Sequence, residues 1–224
     1  MGLTIHYDLH YDTRSPREAR RLVEELRKKA FDLPFAEVGE VVEFAGDACD
    51  FEKYDRDDPL RYLVSRAGGW FEREGIHYRV MPKQFIMFST SPGEGCEDAD
   101  FGLAIYPGIL PTQDPRTGHA RRLRTGLSGW CWSSFCKTIY ASRHGIEHFV
   151  KCHLSLVAML DHARELGLLA GVGDEGGFWE SRDLEALVRQ AGEWQEGIAA
   201  QVRKTFGDDI LVPKRHQEAE GGAK

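Results

Sequence analysis

Long apolar runs, a secretory signal and a disulfide framework are all missing from this sequence. None of its windows approaches the roughly 18 apolar residues of a membrane-spanning helix, and MGLTIHYDLHYD has neither the basic nor the apolar region of a signal peptide. We therefore expect a soluble, cytoplasmic protein without membrane contact, whose thiols are reduced. The five cysteines form no CxxC pair and are scattered at positions 49, 96, 131, 136 and 152.

Motifs for nucleotides and calcium are also missing. The chain contains no G-x-x-x-x-G-K-[ST], no G-x-G-x-x-G and no calcium-loop pattern. These motifs therefore indicate no cofactor, and whether the protein uses one stays unknown. A formal net charge of −7 disfavours a dedicated nucleic-acid binder, because phosphate backbones attract basic surfaces. The sequence gives no information on the oligomeric state.

The N-terminal region has the pattern of a strand followed by a helix. Apolar and polar side chains alternate from Leu3 to Tyr11, which predicts a half-buried strand. Ser15-Pro16-Arg17-Glu18 then provides an N-cap, a proline at the first helical position and a capping-box glutamate. Apolar residues recur at helical spacing from Ala19 to Ala30, and the β-type run EVGEVVEF follows Pro34. This order predicts a β-α-β unit with a right-handed crossover.

The rest of the chain has the pattern of a meander followed by helices. The β-type runs RVMPKQFIMFSTS, DFGLAIYPG and WCWSSFCKTIY have no helical spacers and indicate antiparallel strands. Two apolar stripes at helical spacing follow, from Ile146 to Gly167 and from Ser181 to Gly207. We therefore predict a single α+β domain over residues 1–212, in which two long C-terminal helices pack on a mixed sheet. Residues 213–224 are predicted to form a disordered polar tail.

The stretch GWCWSSFCKTIYAS, residues 129–142, combines residue types found in catalytic sites. Ser134 and Lys137 match the S-x-x-K motif of an acyl-transfer nucleophile and base, which needs both side chains on one side of a helical turn. In a strand, Ser134 and Lys137 lie on opposite faces, as do Cys131 and Cys136. We predict a buried strand over residues 130–140, which disfavours both an acyl-transfer site and a zinc site.

His6, Asp8 and His10 share one face of the first predicted strand. A His6 and Asp8 pair has the spacing of metal ligands, because same-face neighbours on a strand are about 7 Å apart. The alternation of the strand alone also explains these residues as a solvated polar face. No metal is therefore predicted.

His153 lies within an apolar helical stripe, where a buried imidazole needs a hydrogen-bond partner such as Tyr140 or a backbone carbonyl. The functional alternative pairs His153 with Asp174 or Glu175, whose flanking glycines allow a tight turn into a cleft. With Lys137 or Tyr140 near by, these residues would form a small hydrolytic or metal-assisted enzyme. The alternative for the Asp174-Glu175 turn is a solvated connection between two elements.

Basic residues are concentrated in RTGHARRLR, whereas the loops at 47–58 and 94–100 are acidic. Guanidinium groups suit phosphates and carboxylates, so the basic segment is a candidate site for an anionic small molecule or a protein partner. Its alternative role is to neutralise the acidic loops within the fold. Since no catalytic motif is complete, we predict a binding or interaction protein rather than an enzyme or a structural subunit without a site. The candidate binding residues are Arg116, His119, Arg121, Arg122 and Arg124.

Overall fold

The computed structural model describes residues 3–114 and 116–192, which form an α+β fold. The strands are β1 (Thr4–Tyr11), β2 (Glu37–Val38), β3 (Val42–Ala45), β4 (Gly69–Arg73), β5 (Ile76–Val80), β6 (Gln84–Ser91), β7 (Ala99–Ile105), β8 (Ile109–Gln113), β9 (Ala120–Arg124), β10 (Trp130–Lys137) and β11 (Leu169–Asp174). The α-helices are α1 (Pro16–Phe31), α2 (Pro59–Arg66), α3 (Ile146–Glu165) and the single turn α4 (Phe178–Ser181). Residues 184–192 are also helical.

A seven-stranded sheet organises the molecule. Its order is β11-β1-β10-β7-β6-β2, β3 also pairs with β6, and the hairpins β4–β5 and β8–β9 form two smaller sheets. All the strand pairings in residues 3–114 and 116–192 are antiparallel. The predicted mixed sheet is therefore wrong. β1 pairs with β10 and β11, whereas β2 pairs with β6 at the far edge, so β1, α1 and β2 make no parallel crossover unit.

The two faces of the sheet differ in polarity. In β1, Ile5, Tyr7 and Leu9 are buried while His6, Asp8 and His10 are exposed, as the alternation predicts. α1 contacts β6 and β7 and packs on α3, so the buried side chains form one core between the sheet and these helices. The opposite face of β1 and β10 is left for polar and aromatic residues.

The stretch that contains two tryptophans and two cysteines is a strand, β10. Trp130, Trp132 and Cys136 are buried and alternate with the exposed Ser133 and Phe135. β10 ends at Lys137, and a 3-10 helix over Ile139–His144 replaces the last part of the predicted strand. The extended backbone separates neighbouring side chains, which is why the S-x-x-K motif does not assemble here.

The C-terminal third is only partly as expected. α3 covers the first predicted helix, but Ser181 ends α4 instead of starting the second helix. Asp183 takes the N-cap position, because its Oδ1 accepts the backbone N–H of Ala186 at 3.0 Å. The end of that helix at Gly207, the domain end at 212 and the tail 213–224 lie outside the described residues. Within the described ranges, no helix has the length and apolar character to cross a membrane.

Candidate ligand-binding site

A pocket of about 390 Å³ opens on the polar face of the sheet, beside α2 and β4. β1 and β10 contribute to it in antiparallel register, with His6 opposite Phe135 and Asp8 opposite Ser133. α2 and the start of β4 supply the rest of the lining, so the pocket joins three regions that are distant in sequence. The lining residues are His6, Tyr7, Asp8, Ser65, Arg66, Gly68, Trp70, Ser133, Ser134 and Phe135.

Arg66, the last residue of α2, is tied to the sheet by an ion pair. Its Nε donates to Oδ2 of Asp100 at 2.5 Å, and the Asp100 side chain is fully buried. The other carboxylate oxygen of Asp100 accepts the hydroxyl of Ser89 at 2.5 Å. The backbone carbonyl of Asp100 accepts the hydroxyl of Tyr7 at 2.8 Å and the indole N–H of Trp132 at 2.9 Å. These partners fix both the carboxylate and the arginine that it holds.

Arg66 keeps hydrogen-bond donors that the described part of the chain does not use. Within residues 3–114 and 116–192, the guanidinium donates through Nε to Asp100 and through Nη2 to Ser134 at 3.5 Å, which leaves both N–H groups of Nη1 without an acceptor. The guanidinium carbon lies 5.1 Å from the centre of the Phe135 ring and 6.0 Å from that of Tyr62. Burial acts to lower the pKa of Arg66, but the carboxylate of Asp100 outweighs it and raises that pKa. The pocket therefore contains a permanent cation with donors to spare.

The β1 and β10 side of the pocket offers further polar groups. The hydroxyl of Ser133 donates to Oδ1 of Asp8 at 2.6 Å across the two strands. Asp8 and Ser133 are both exposed, so the second oxygen of the carboxylate is accessible to a ligand. The His6 ring lies 5.7 Å from the Phe135 ring, centre to centre.

Two aromatic side chains of the lining are exposed. Trp70 is 59% exposed and Phe135 is 39% exposed. Exposed aromatic surface next to polar groups is typical of recognition sites, because a ring of the ligand can cover it. The pocket therefore combines a cation, a carboxylate, hydroxyls and apolar ring surfaces.

The structure brings His153 and Asp174 together, but in the core. Nε2 of His153 lies 3.5 Å from Oδ2 of Asp174, within ion-pair range but without the alignment of a hydrogen bond, and neither side chain is exposed. Nδ1 of His153 lies 3.0 Å from the Thr138 hydroxyl. Asp174 also accepts the backbone N–H groups of Gly176 at 2.8 Å and Trp179 at 2.9 Å. These contacts tie α3 to the turn that follows β11.

The pKa of Asp174 reflects this environment. Burial acts to raise it, but His153 and the two backbone N–H groups outweigh burial, so that the pKa lies below its usual value. The other residues of the predicted catalytic set make different contacts. Oε2 of Glu175 accepts the backbone N–H of Thr4 at 3.2 Å, and Nζ of Lys137 lies 4.9 Å from the centre of the Tyr140 ring. The catalytic role of this set stays a prediction.

The predicted anion-binding segment is the β8–β9 hairpin and the turn that joins its strands. Arg121 pairs with Glu74 at 3.1 Å and with Asp114 at 3.2 Å, so its partners lie outside the acidic loops at 47–58 and 94–100. The other four basic residues are exposed, and their role in binding stays a prediction. They are Arg116, His119, Arg122 and Arg124.

Metal ligands do not converge in the part of the chain that the structure describes. There, no group of three or more His, Cys, Asp or Glu side chains is placed to hold an ion. Nε2 of His10 instead lies 3.1 Å from the carbonyl of Ser128, and Asp8 is bonded to Ser133. The metal alternative for the first strand therefore gains no support.

Sequence reasoning missed Arg66, Asp100 and Trp70. A signal was available for Asp100, because it is a charged residue inside the β-type run DFGLAIYPG, and a buried charge needs a partner. Arg66 and Trp70 carry no comparable signal, since their place in the pocket depends on how α2 and β4 pack against the sheet.

Comparison of the chain with protein families, with curated proteins and with solved structures finds no match.

Proposed function

We propose that the protein binds a small organic anion that carries a ring, in the pocket between β1, β10, α2 and β4. The observation that supports this most is Arg66: a fully buried carboxylate holds it, while its Nη1 donors have no acceptor among residues 3–114 and 116–192. A carboxylate or phosphate of the ligand would accept these donors in a charge-assisted hydrogen bond. In this proposal the protein is a binding protein, and no catalytic step is assigned to the pocket.

The ring of the ligand is inferred from Trp70 and Phe135. Their exposed faces lose unfavourable contact with water when a flat apolar group covers them. Asp8 and Ser133 add an acceptor and a hydroxyl that suit a neutral polar substituent, such as a hydroxyl group. The expected ligand is therefore a ring with an acidic group on one side and a hydrogen-bonding group elsewhere.

Titrations with small probes test this proposal. We expect phenyl phosphate and benzoate to bind and to shift the NMR signals of the Trp70 indole N–H and the Arg66 Nε–H. Phenol, which has a ring without charge, and inorganic phosphate, which has charge without a ring, should each bind about tenfold more weakly, since each loses roughly 1.5 kcal/mol of interaction.

Variants identify the residues responsible. Trp70→Ala is expected to weaken phenyl phosphate binding without loss of stability, because the side chain is mostly exposed. Arg66→Lys should also weaken it, since lysine keeps the charge but lacks the guanidinium fork. Arg122→Lys on the exposed hairpin is the matched control and should bind like the wild type. Equal binding by the wild type and Arg66→Lys, or NMR shifts confined to the β8–β9 hairpin, would contradict the proposal.

A further inference from the structure

Two cysteines that are far apart in sequence, Cys96 and Cys152, are neighbours in space. Cys152 lies near the N-terminal end of α3 and is fully buried, whereas Cys96 lies in the loop between β6 and β7 and is partly exposed. The two thiols lie close enough to shift each other's pKa, and Sγ of Cys152 donates to the carbonyl of Pro92, in the loop that carries Cys96, at 3.2 Å. Both are reduced in this structure.

A glycine allows the loop to reach the buried sulfur. A Cβ atom at Gly93 would lie only 2.7 Å from Sγ of Cys152, so any larger residue there would push the loop away. Cys96 is held in the same turn, because its backbone N–H donates to the carbonyl of Gly93 at 3.0 Å. The turn therefore places an outer thiol against an inner one.

Cationic and polar groups surround the inner thiol. Nε2 of His148 lies 3.6 Å from Sγ of Cys152 and 2.9 Å from the carbonyl of Glu94. A carbonyl only accepts, so Nε2 carries the hydrogen of this bond. The interaction with the Cys96 thiol lowers the pKa of Cys152 to about 7 against the effect of burial, and His148 and Lys151 act in the same direction. The same interaction, together with burial, raises the pKa of Cys96. The pair thus loses one proton readily and keeps the other.

We propose that Cys96 and Cys152 are a redox-active dithiol, which forms an intramolecular disulfide by exchange with a low-molecular-weight disulfide such as glutathione disulfide. Cys96, the accessible thiol, passes its proton to the Cys152 thiolate and attacks one sulfur of glutathione disulfide. The S–S bond of that molecule breaks, and one glutathione leaves as the thiolate. Cys152 then loses its proton and attacks Sγ of Cys96, which releases the second glutathione. Counted from the fully protonated dithiol, the protein gives up two electrons and two protons, and glutathione disulfide is reduced to two thiols.

The other three cysteines lack these features. Cys49 and Cys136 are buried, so glutathione disulfide cannot reach their sulfurs. Cys131 is partly exposed, but its Sγ donates to the carbonyl of Ser128 at 3.0 Å and not to a second thiol. Exchange should therefore be selective for the dithiol.

Mass spectrometry of the full chain tests the proposal. Reduced protein is incubated with glutathione disulfide, and the remaining thiols are alkylated before digestion. We expect an intact mass that has lost two hydrogens, a cross-linked peptide pair that contains Cys96 and Cys152, and alkylation of the other three cysteines. A reductant should restore the original mass.

Serine variants separate the two roles. In Cys152→Ser the glutathione adduct should persist on Cys96, because no second thiol displaces it. In Cys96→Ser the reaction with glutathione disulfide should slow by about tenfold or more, since the remaining thiol of the pair is buried. Cys131→Ser is the matched control and should react like the wild type.

Two outcomes would overturn the proposal. One is a wild-type protein that carries glutathione on Cys131 or Cys96 but forms no disulfide. The other is a Cys152→Ser variant whose Cys96 adduct is no more persistent than that of the wild type. The wild-type measurement decides the first outcome without any variant, so a folding defect in a variant cannot obscure it.

Discussion

At the scale of single residues, two buried carboxylates determine what the polar parts of the molecule can do. The carboxylate of Asp100 accepts hydrogen bonds from Arg66 and Ser89, and its backbone carbonyl accepts two more, from Tyr7 and Trp132. Asp100 therefore holds Arg66 at an open pocket. Asp174 has His153 and two backbone N–H groups, but all of these lie in the core. The sequence indicated a buried His153 from its apolar stripe, and it offered Asp174 or Glu175 as a partner only in the functional alternative, because glycines flank both carboxylates. It could not show that Asp174 is buried together with His153, which depends on the packing of α3 against β11.

The pH dependence of stability should depend on Asp174. Because its pKa is lower in the folded chain, the carboxylate adds stability above its unfolded pKa of about 4, and this is lost as the pH falls through the folded value. We therefore expect Asp174→Asn to be less stable than the wild type at about pH 6, with a difference that shrinks below about pH 4. Urea unfolding at a series of pH values measures this difference.

The neighbouring Glu175→Gln is the matched control for a charge removed from the same turn. Its stability relative to the wild type should vary with pH much less than that of Asp174→Asn. A difference between wild type and Asp174→Asn that stays constant from pH 6 to pH 3 would show that Asp174 acts through packing alone.

At the scale of elements, local sequence patterns predicted where strands and helices begin better than they predicted the hydrogen bonds at those positions. Ser15 caps α1 as expected, since its side chain accepts the backbone N–H of Glu18 at 3.3 Å. The second half of the predicted capping box is wrong. The Glu18 carboxylate accepts the hydroxyl of Thr13 at 2.7 Å and that of Tyr11 at 3.1 Å, while the backbone N–H of Ser15 donates to the Thr13 hydroxyl at 3.1 Å.

The central strand β7 should tolerate no side chain at Gly102. A Cβ atom there would lie 2.7 Å from the carbonyl oxygen of Ile86 and 3.0 Å from the ring of Trp132. Since a backbone atom of the paired strand has to move, we expect Gly102→Ala to lower the free energy of unfolding by about 1–3 kcal/mol. Chemical denaturation followed by circular dichroism gives this value.

Gly108→Ala provides the comparison, because a Cβ atom at Gly108 meets nothing within 4 Å. This variant should be as stable as the wild type or slightly more stable, since alanine restricts the unfolded chain. If the two alanine variants had equal stability, close packing of β6 and β10 around β7 would not be the reason for glycine at 102.

At the scale of the whole molecule, the sequence predicted the fold class but not which strands pair. Alternation in β1 and the apolar run of β10 indicate strands with one buried face, yet any partner with a matching face satisfies that requirement. The partners that form are remote: β1 pairs with β10 and β11, which lie in the second half of the chain. For the same reason the pocket, which needs β1, β10 and α2 together, could not be read from any one segment.

These remote pairings should hold the molecule together when the chain is divided at the tip of the β8–β9 hairpin. Thr117 and Gly118 are exposed there, and the hairpin strands pair with each other rather than with the main sheet. Fragments 1–117 and 118–224, produced together, should associate, because β10 and β11 of the second fragment pair with β1 of the first and β10 also pairs with β7. A tag on the first fragment should then recover the second, in a particle with the size and near-ultraviolet circular dichroism of the intact chain.

Division between Gly102 and Leu103 is the control, since it cuts β7 between β6 and β10, and those fragments should not assemble. If both fragment pairs were recovered equally well, or if neither were recovered, the antiparallel pairing of β1 with β10 and β11 would not be what holds this fold together.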